Sequence, residues 1–329
     1  MMKIIIITPA KQKSLSGNRA TAQRWAFFLQ QLGHQVTISV QWDETPYDLM
    51  IALHAWRSAD IISRFKEKYP QKPLIVAMTG TDLYHFIQSH PEPTLASVKA
   101  ADQLVVLHDK AYLALPEEAR HKVHVIHQSA PPLPTAMKEN NKRSQRNFDI
   151  CVVGHLREEK DSLRAAYAVR DLPESSRIRV RHYGKAHNEE WAEKAREEMR
   201  INPRYHWFGE VKHWQIRQAY QRCHLMVLSS IMEGGANVIS EATVAGLPVI
   251  ASDIIGSIGL LGDDFSGYYP VQDTDALREL LLKAETDPDF ISLLRQQGDQ
   301  RAKLFVPERE GQQWQKLLTF MGLGNTPKF

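Results

Sequence analysis

Short, almost wholly apolar runs alternate with longer segments of helical pattern along most of the chain. In the first half the apolar runs include KIIIIT, YDLMIALHA, LIVAMTG and LVVLH, and segments such as ATAQRWAFFLQQLG lie between them. Strands that are apolar on both faces belong to a parallel sheet with helices packed on both sides. The alternation therefore predicts an α/β fold built on a doubly wound, Rossmann-like parallel sheet.

The pattern occurs twice, on either side of a break. Residues 129–147, SAPPLPTAMKENNKRSQRN, lack an apolar period and are rich in proline, lysine and asparagine, as is typical of an interdomain linker. The alternation then resumes with FDICVVGHL, IRVRHYG, LMVLSS and PVIAS. We predict a first lobe over 1–130, a linker over 131–147, a second lobe over 148–306 and a helix over 307–329 that joins the first lobe. Two such lobes are expected to face each other across a cleft.

The composition argues against several classes of function. A formal net charge of +3 gives no general attraction for nucleic acid. The start, MMKIIIITPAKQ, is too short for a signal-peptide core, and no apolar run has the length that crosses a bilayer. Cys151 and Cys223, the two cysteines, lie in strand-like segments and indicate buried thiols in a reducing compartment. We expect a cytoplasmic protein without nucleic-acid partners or stable membrane insertion.

The stretch SSIMEGGANVISEATVAGLPVIAS has the features of a ligand site. An apolar strand runs into two glycines, and a helix is predicted from about Asn237 to Ala245, stopped by Gly246. Backbone N–H groups at a helix start suit a phosphate or a sugar hydroxyl. Glu233 before the helix and Glu241 within it are candidate acceptors for hydroxyl groups. A plain strand, turn and helix with solvated glutamates is the alternative.

Three further segments are candidates for anion binding. SGNRATAQRW places Gly17, Asn18 and Arg19 at the start of a helix, and VVGHLREEKD gathers Gly154, His155, Arg157 and Lys160, a basic group able to pair with a diphosphate. The third segment is interpreted as a loop with glycines at 256, 259 and 262. The dinucleotide fingerprint G-x-G-x-x-G is absent, which argues against a nicotinamide enzyme.

Taken together, these segments resemble the GT-B glycosyltransferases, in particular the retaining family 4. MEGGANVISEA resembles the Glu-x7-Glu element of that family, and GHLREEK resembles its Gly-Arg-Leu-x-x-x-Lys element, with His155 in place of the arginine. The resemblance implies that Lys160 contacts the donor diphosphate, that Arg157 substitutes for the missing arginine and that Glu241 binds the ribose hydroxyls. It assigns the rest of the donor site to Gly17, His155, Glu233, Gly234, Gly235, Ala236 and Asn237.

Read from end to end, the chain is similar to the SenB selenosugar synthases of selenoneine biosynthesis. The similarity rests on SGNR, LHAWRS, TGTDLY, GHLREEKD and EGGAN together. It implies transfer of a sugar, typically N-acetylglucosamine, from a UDP-sugar to selenophosphate, with formation of a carbon–selenium bond and release of UDP and phosphate. It also implies coupling to a selenophosphate-producing enzyme and to later enzymes of that pathway. The acceptor residues expected at strand ends of the first lobe are Asn18, Arg19, Arg57, Thr79 and Thr81, with His54 as a catalytic residue.

Charge that develops on the departing UDP would be stabilised by Lys160, Arg157 and the amides of the helix start. We expect no metal and no further cofactor, since no Asp-x-Asp pair stands at a strand end of the second lobe. Retention or inversion at the anomeric carbon is left open by these residues.

Two alternatives remain. One is a UDP-sugar-dependent retaining transferase with a lipid or saccharide acceptor, for which Trp25, Phe27 and Phe28 could form a membrane-facing patch, although core packing explains them better. The other is a nucleotide-sugar binding protein without turnover. The presence of Lys160, Glu233 and Glu241 argues against a decayed site.

Overall fold

The computed structural model describes residues 1–11, 17–134 and 143–324. The chain forms two compact units, of which unit 1 comprises Met1–Ser129 and the chain from Pro307 onwards, and unit 2 comprises Ala130–Val306. Residues 135–142 of the predicted linker and 325–329 of the predicted last helix lie outside the described residues. Each unit is an α/β layer structure around its own parallel sheet, as predicted.

Unit 1 contains a six-stranded, wholly parallel sheet with the strand order β2-β1-β3-β4-β5-β6. The strands are β1 (Lys3–Ile7), β2 (Gln35–Ser39), β3 (Leu49–Leu53), β4 (Leu74–Ala77), β5 (Gln103–Val106) and β6 (Val123–Val125). The helices that follow in the chain are α1 (Gly17–Gln31), α2 (Ala59–Lys68), α3 (Ile87–Ser89) and α4 (Pro91–Ala100), with a π-helical turn over Asp82–Phe86. Ile4 and Ile6 pack in one core and Ile5 and Ile7 in another, so β1 is buried on both faces.

Unit 2 repeats this architecture with the strand order β12-β11-β10-β7-β8-β9, again all parallel. The strands are β7 (Phe148–Val153), β8 (Ile178–Tyr183), β9 (Tyr205–Trp207), β10 (Leu225–Leu228), β11 (Val249–Ser252) and β12 (Tyr268–Tyr269). The helices are α5 (Arg164–Ala168), α6 (Glu189–Ile201), α7 (His213–Arg222), α8 (Asn237–Val244), α9 (Ile255–Leu261), α10 (Thr274–Thr286) and α11 (Pro288–Ala302). Both cysteines are buried free thiols.

Several helix starts in unit 2 follow directly from the sequence. Asn188 accepts a hydrogen bond from the backbone N–H of Trp191 at 3.0 Å and begins α6. Asp273 and Asp287 cap α10 and α11 in the same way, and Pro288 occupies the first position of α11. A side-chain oxygen at this position satisfies one of the free N–H groups of the first turn.

The last helix, α12 (Pro307–Phe320), belongs to unit 1. Trp314 is fully buried and meets Trp25 edge to face, with ring centroids 4.9 Å apart. The buried carboxylate of Glu310 accepts hydrogen bonds from Trp25 Nε1 at 2.9 Å and from the backbone N–H of Ser129 at 2.7 Å, and it pairs with Arg24. An unpaired carboxylate could not remain in such a core, so these contacts fix the helix in register.

The structure corrects one sequence interpretation. The segment with glycines at 256, 259 and 262 is not a loop, because Ile255–Leu261 form the helix α9 and only Gly262, with φ of 96°, ends it. A Cβ atom on Gly256 would lie 2.1 Å from the carbonyl oxygen of Glu233. The glycine therefore serves close packing of α9 against the backbone of Glu233. Within the described residues, no helix has both the length and the apolar character needed to cross a membrane.

Candidate active site

In unit 2 the carboxyl ends of the neighbouring strands β7 and β10 bring two predicted residues together. Lys160 follows β7, Glu233 follows β10, and their side chains form an ion pair between Nζ and Oε1. Ser230 Oγ donates to the same carboxylate oxygen at 2.7 Å. The two side chains are only 19% and 11% exposed, so the pair is poorly screened by solvent.

The loop that carries Lys160 is held by backbone contacts to the end of β10. Glu158–Lys160 form one 3₁₀ turn, and Asp161 follows it in the left-handed conformation with φ of 42°. Ser229 Oγ donates to the carbonyl of Asp161 at 2.8 Å, and the N–H of Ile231 donates to the carbonyl of Glu159 at 3.0 Å. These contacts fix the position of Lys160 relative to Glu233.

Glu233 lies just ahead of α8, which begins at Asn237 as predicted. Gly234 and Ala236 are buried, Gly235 has φ of 145°, and Gly246 ends the helix with φ of 68°. The glycine-rich turn thus brings a carboxylate and the first turn of a helix to one strand end. Such an arrangement is suited to binding a phosphate and sugar hydroxyls.

Glu241 is not a solvated glutamate. Its Oε2 accepts a hydrogen bond from the hydroxyl of Tyr220 at 2.9 Å, and its Oε1 lies 3.4 Å from Nε2 of His213. The hydrogen bond to Glu241 raises the pKa of His213, whereas burial and Glu241 together raise the pKa of Tyr220 well above its ordinary value. No local sequence pattern indicated these two partners, which lie on α7, 21 and 28 residues earlier in the chain.

His155 provides a neutral hydrogen-bond donor where the resemblance expects an arginine. Burial lowers the pKa of His155, and the charges of Arg157 and Lys160 lower it further. Its Nδ1 accepts a hydrogen bond from the backbone N–H of Lys185 at 3.1 Å, so we assign the remaining hydrogen to Nε2. Arg157 is half-exposed, and its Nε lies 3.7 Å from Glu159.

A buried histidine below the β7 loop was not predicted from the sequence. His182 in β8 is fully buried, and its Nε2 lies 2.9 Å from the carbonyl oxygen of Gly154, directly before His155. Its Nδ1 lies 2.8 Å from the hydroxyl of Tyr205, and burial lowers its pKa to about 4. A Cβ atom on the neighbouring Gly184 would stand 1.9 Å from the Gly154 carbonyl oxygen, so only glycine fits there.

In unit 1 the predicted residues His54, Thr79 and Thr81 meet around a buried carboxylate, Asp82. The two oxygens of Asp82 lie 2.7 Å from His54 Nδ1 and 2.9 Å from Thr79 Oγ1, and the hydroxyl of Thr81 lies 3.2 Å from His54 Nε2. Asp82 is fully buried in the π-helical turn after β4. The sequence prediction missed Asp82, although its place in TGTDLY, three residues after Thr79, was a usable signal.

The remaining acceptor candidates, and Gly17 from the predicted donor set, lie elsewhere on unit 1. Gly17 and Asn18 are the first residues of α1, and Arg19 on the same turn is buried, with no hydrogen-bond partner for its Nε among the described residues. The side chain of Arg57 is exposed, while its backbone N–H lies 3.3 Å from His54 Nδ1. The structure thus groups two of the predicted acceptor residues, Thr79 and Thr81, with the predicted catalytic residue His54, and the roles of all these residues stay predictions.

A second polar cluster at the ends of β5 and β6 was also missed. His108 is fully buried, and its Nε2 lies 3.0 Å from the hydroxyl of Tyr84. Burial lowers the pKa of His108 to about 4 and raises that of Tyr84. His127 pairs with Asp109 at 3.1 Å. In the part of the chain that the structure describes, no group of three or more histidine, cysteine, aspartate or glutamate side chains has the arrangement of a metal site.

Comparison with solved structures identifies the fold. Sucrose-phosphate synthase from Thermosynechococcus elongatus superposes with a TM-score of 0.81 at 16% identity, covering 98% of this chain and 99% of that chain. Anabaena HepE, solved in complex with UDP and glucose, gives 0.77 at 16% identity over 97% and 100%. The lipopolysaccharide outer core galactosyltransferase WaaB gives 0.66 at 14% identity over 97% and 100%. The predicted GT-B fold is thereby confirmed.

Sequence comparison gives the family. No curated protein sequence matches the chain. The sequence model of the family described as glycosyl transferases group 1 matches residues 134–304, just over half of the 329 residues. That segment contains Lys160, Glu233 and Glu241. The chain therefore belongs to the group 1 glycosyl transferases.

Proposed function

We propose that the chain transfers a sugar from a UDP-sugar and that unit 2 binds this donor. The observation that carries the proposal is the Lys160–Glu233 pair beside the start of α8, together with the fixed carboxylate of Glu241. The family supports sugar transfer, and the HepE complex with UDP and glucose supports UDP as the carrier. The resemblance of the sequence favours N-acetylglucosamine as the sugar.

In this proposal Lys160 changes partners when the donor binds. Without donor, the ammonium group neutralises Glu233. A bound diphosphate offers more negative charge, so Lys160 turns to it, and Glu233 becomes an acceptor for sugar hydroxyls. As the bond from the anomeric carbon to the diphosphate breaks, negative charge grows on UDP, and Lys160, Arg157 and the first amides of α8 stabilise it. The expected chemistry needs no metal ion.

For the acceptor we propose selenophosphate, with formation of a carbon–selenium bond. The proposal rests on the resemblance of the sequence motifs and is supported by the small polar cluster of His54, Thr79 and Thr81 at the strand ends of unit 1. A lipid acceptor receives less support from α1, since Trp25 and Phe28 are buried in the core and only Phe27 is exposed.

The test is a reaction of the purified protein with UDP-N-acetylglucosamine and freshly made selenophosphate under anaerobic conditions. UDP release and the mass of the sugar product are followed together. We expect UDP release that requires selenophosphate and a product that carries selenium. Release of UDP with a saccharide or lipid acceptor instead would replace the acceptor and leave the donor assignment standing.

A pair of lysine variants tests the donor site. Lys160→Ala should lower kcat about 100- to 1,000-fold, because it removes the cation that faces the developing charge. Lys303→Ala, an exposed lysine in the same unit, is the matched control and should retain activity. UDP binding without turnover by the unaltered protein, with every acceptor tried, would favour the binding-protein alternative.

A further inference from the structure

Asp82, His54 and Thr81 of unit 1 form a chain of contacts that has no part in the proposed binding of the UDP-sugar. Oδ1 of Asp82 is 2.7 Å from Nδ1 of His54, and Nε2 of His54 is 3.2 Å from Oγ1 of Thr81. A carboxylate, an imidazole and a hydroxyl in this order form the arrangement that moves a proton in many hydrolases and transferases. His54 is 27 positions before Thr81 in the sequence, so only the fold brings the imidazole to the other two groups.

The hydrogen bonds around Asp82 determine which nitrogen of His54 carries the hydrogen. Oδ1 also faces the backbone N–H of Trp56 at 3.1 Å, and Oδ2 accepts from the N–H and the hydroxyl of Thr79, both at 2.9 Å. With donors on every side, Asp82 acts as an ionised acceptor, and the short contact to His54 Nδ1 places a hydrogen on that nitrogen. The backbone N–H of Arg57 also faces Nδ1, at 3.3 Å, and it would donate there only if Nδ1 carried no hydrogen. The shorter contact to the carboxylate, 2.7 Å, decides in favour of hydrogen on Nδ1. Nε2 keeps its lone pair and accepts the hydroxyl hydrogen of Thr81.

The backbone and the surrounding rings hold the imidazole in place. His54 has φ of 74°, a conformation that non-glycine residues adopt rarely and that is concentrated at functional sites. Its N–H donates to the carbonyl of Ala77 at 3.0 Å, which fixes this conformation against β4. The ring centroid of Phe86 lies 5.5 Å from that of the imidazole, and Phe86 stacks on Trp56 with the two ring centroids 4.0 Å apart. These contacts keep Nδ1 toward Asp82 and Nε2 toward Thr81.

The exposure of the three groups determines which of them can reach a substrate. Asp82 is fully buried and His54 is 1% exposed, whereas Thr81 is partly exposed. We propose that Asp82, His54 and Thr81 form a proton-accepting relay in which Thr81 is the catalytic residue that contacts the acceptor and His54 and Asp82 are positioning residues. Such a relay is needed by an acceptor that binds with a proton still attached. The proton lies on the attacking oxygen of a hydroxyl compound, or on an oxygen of the reacting group in a singly protonated phosphate analogue.

In the transfer step the attacking atom of the acceptor forms a bond to the anomeric carbon. The acceptor gives its proton to Thr81 Oγ, and the hydroxyl hydrogen of Thr81 passes to Nε2 of His54. The bond from the anomeric carbon to the diphosphate breaks, and UDP leaves with the electron pair. Asp82 stabilises the imidazolium until its Nε2 proton returns to solvent through Thr81. The assignment of a sugar donor to this step rests on the proposed function, whereas the tautomer of His54 does not.

The tautomer is tested first, in the protein without substrates. Long-range proton–nitrogen NMR spectra of protein with ¹⁵N-labelled histidine rings report which nitrogen carries hydrogen, and the signal missing in His54→Gln assigns His54 among the 14 histidines. We expect hydrogen on Nδ1 in the unaltered protein. In Asp82→Asn an amide NH₂ facing the ring should move the hydrogen to Nε2. Hydrogen on Nε2 of the unaltered protein would overturn the relay.

Kinetics separate a proton-relay role from a structural one. Thr81→Val should lower kcat about 100-fold or more, with little change in KM for the UDP-sugar, and Thr81→Ser should restore most of the rate, because only the hydroxyl matters. Thr94→Val is the control, since Thr94 is a buried threonine of the same unit whose hydroxyl bonds only to backbone carbonyls. Full kcat in Thr81→Val would also overturn the relay. If no acceptor supports UDP release by the unaltered protein, the proposed function fails, and the NMR result still decides the tautomer.

Discussion

His182 makes the stability of unit 2 depend on pH in a way that a single substitution can remove. The imidazole is fully buried, with Nε2 toward the carbonyl of Gly154 and Nδ1 toward the hydroxyl of Tyr205. A glutamine side chain offers an NH₂ donor group and a carbonyl acceptor, which can replace the N–H donor and the nitrogen acceptor of a neutral imidazole, and it does not titrate. The perturbation is therefore His182→Gln.

The magnitude follows from the shift in pKa. Burial lowers the pKa of His182 from 6.5 to about 4, so the unfolded chain binds more protons than the folded chain at pH values below 6.5. The stability contributed by the neutral imidazole is fully present above about pH 6.5 and is lost as the pH falls toward 4. A full loss corresponds to about 3 kcal/mol, and the part lost between pH 7 and pH 5 to about 2 kcal/mol.

Hydrogen–deuterium exchange of peptides that cover β8 measures this difference inside unit 2. Both proteins are measured at pH 7 and at pH 5, so the intrinsic exchange rates cancel at each pH. We expect the unaltered protein to lose about 2 kcal/mol more than His182→Gln between these values, which is on the order of a 20-fold difference in protection. Equal losses in the two proteins would refute the assignment of a neutral, buried imidazole.

Three further substitutions test separate contacts. Tyr220→Phe removes the hydrogen bond that fixes Glu241, so the Kd for UDP measured by calorimetry should rise about 10-fold, equivalent to about 1.4 kcal/mol. Gly256→Ala places a Cβ atom against the carbonyl of Glu233. It should lower the free energy of unfolding, measured with urea, by about 1–3 kcal/mol, and it should also lower transferase activity. Glu310→Gln removes the charge that pairs with Arg24 and should destabilise unit 1 by about 2–4 kcal/mol, measured in the same way.

Each of these three has a control within the chain. Tyr167→Phe keeps Glu241 fixed, and an equal rise in Kd there would contradict the role of Tyr220. Gly298→Ala puts its Cβ atom 3.7 Å from Thr243, an ordinary contact, and should not destabilise the protein. Glu308→Gln changes an exposed carboxylate on the same helix as Glu310, and a loss as large as that of Glu310→Gln would disprove the buried-charge argument.

The layers and several boundaries of the fold were readable from local sequence. Runs such as KIIIIT and FDICVVG are apolar on both faces, and the structure buries them between helices of two parallel sheets. The helix predicted from about Asn237 to Ala245 runs from Asn237 to Val244, because the glycines before it and Gly246 after it act on their immediate neighbours. The glycines of 256–262 were misread as a loop, since Gly256 serves close packing of α9 against the distant backbone of Glu233 and only Gly262 ends the helix.

For the candidate site, too, the residues could be predicted from the sequence, whereas their arrangement could not. The sequence alone placed Lys160, Glu233 and Glu241 near strand ends and helix starts, and their roles in binding a donor stay predictions. Their geometry depends on partners far along the chain, since Lys160 and Glu233 are 73 positions apart in the sequence. Which loops become neighbours is set by the order β11-β10-β7-β8, and no local pattern encodes that order.

The sequence by itself thus determined the type of most elements, the two-lobed α/β class and the residue types of the candidate site, because short-range sterics, capping and apolar periodicity act within a few residues. Only the tertiary structure decided that Asp82 holds His54, that His182 supports Gly154 and that Tyr220 holds Glu241. Each of these pairs joins side chains of different elements. Their hydrogen bonds exist only after strand order and helix packing have brought the two groups within about 3 Å of each other.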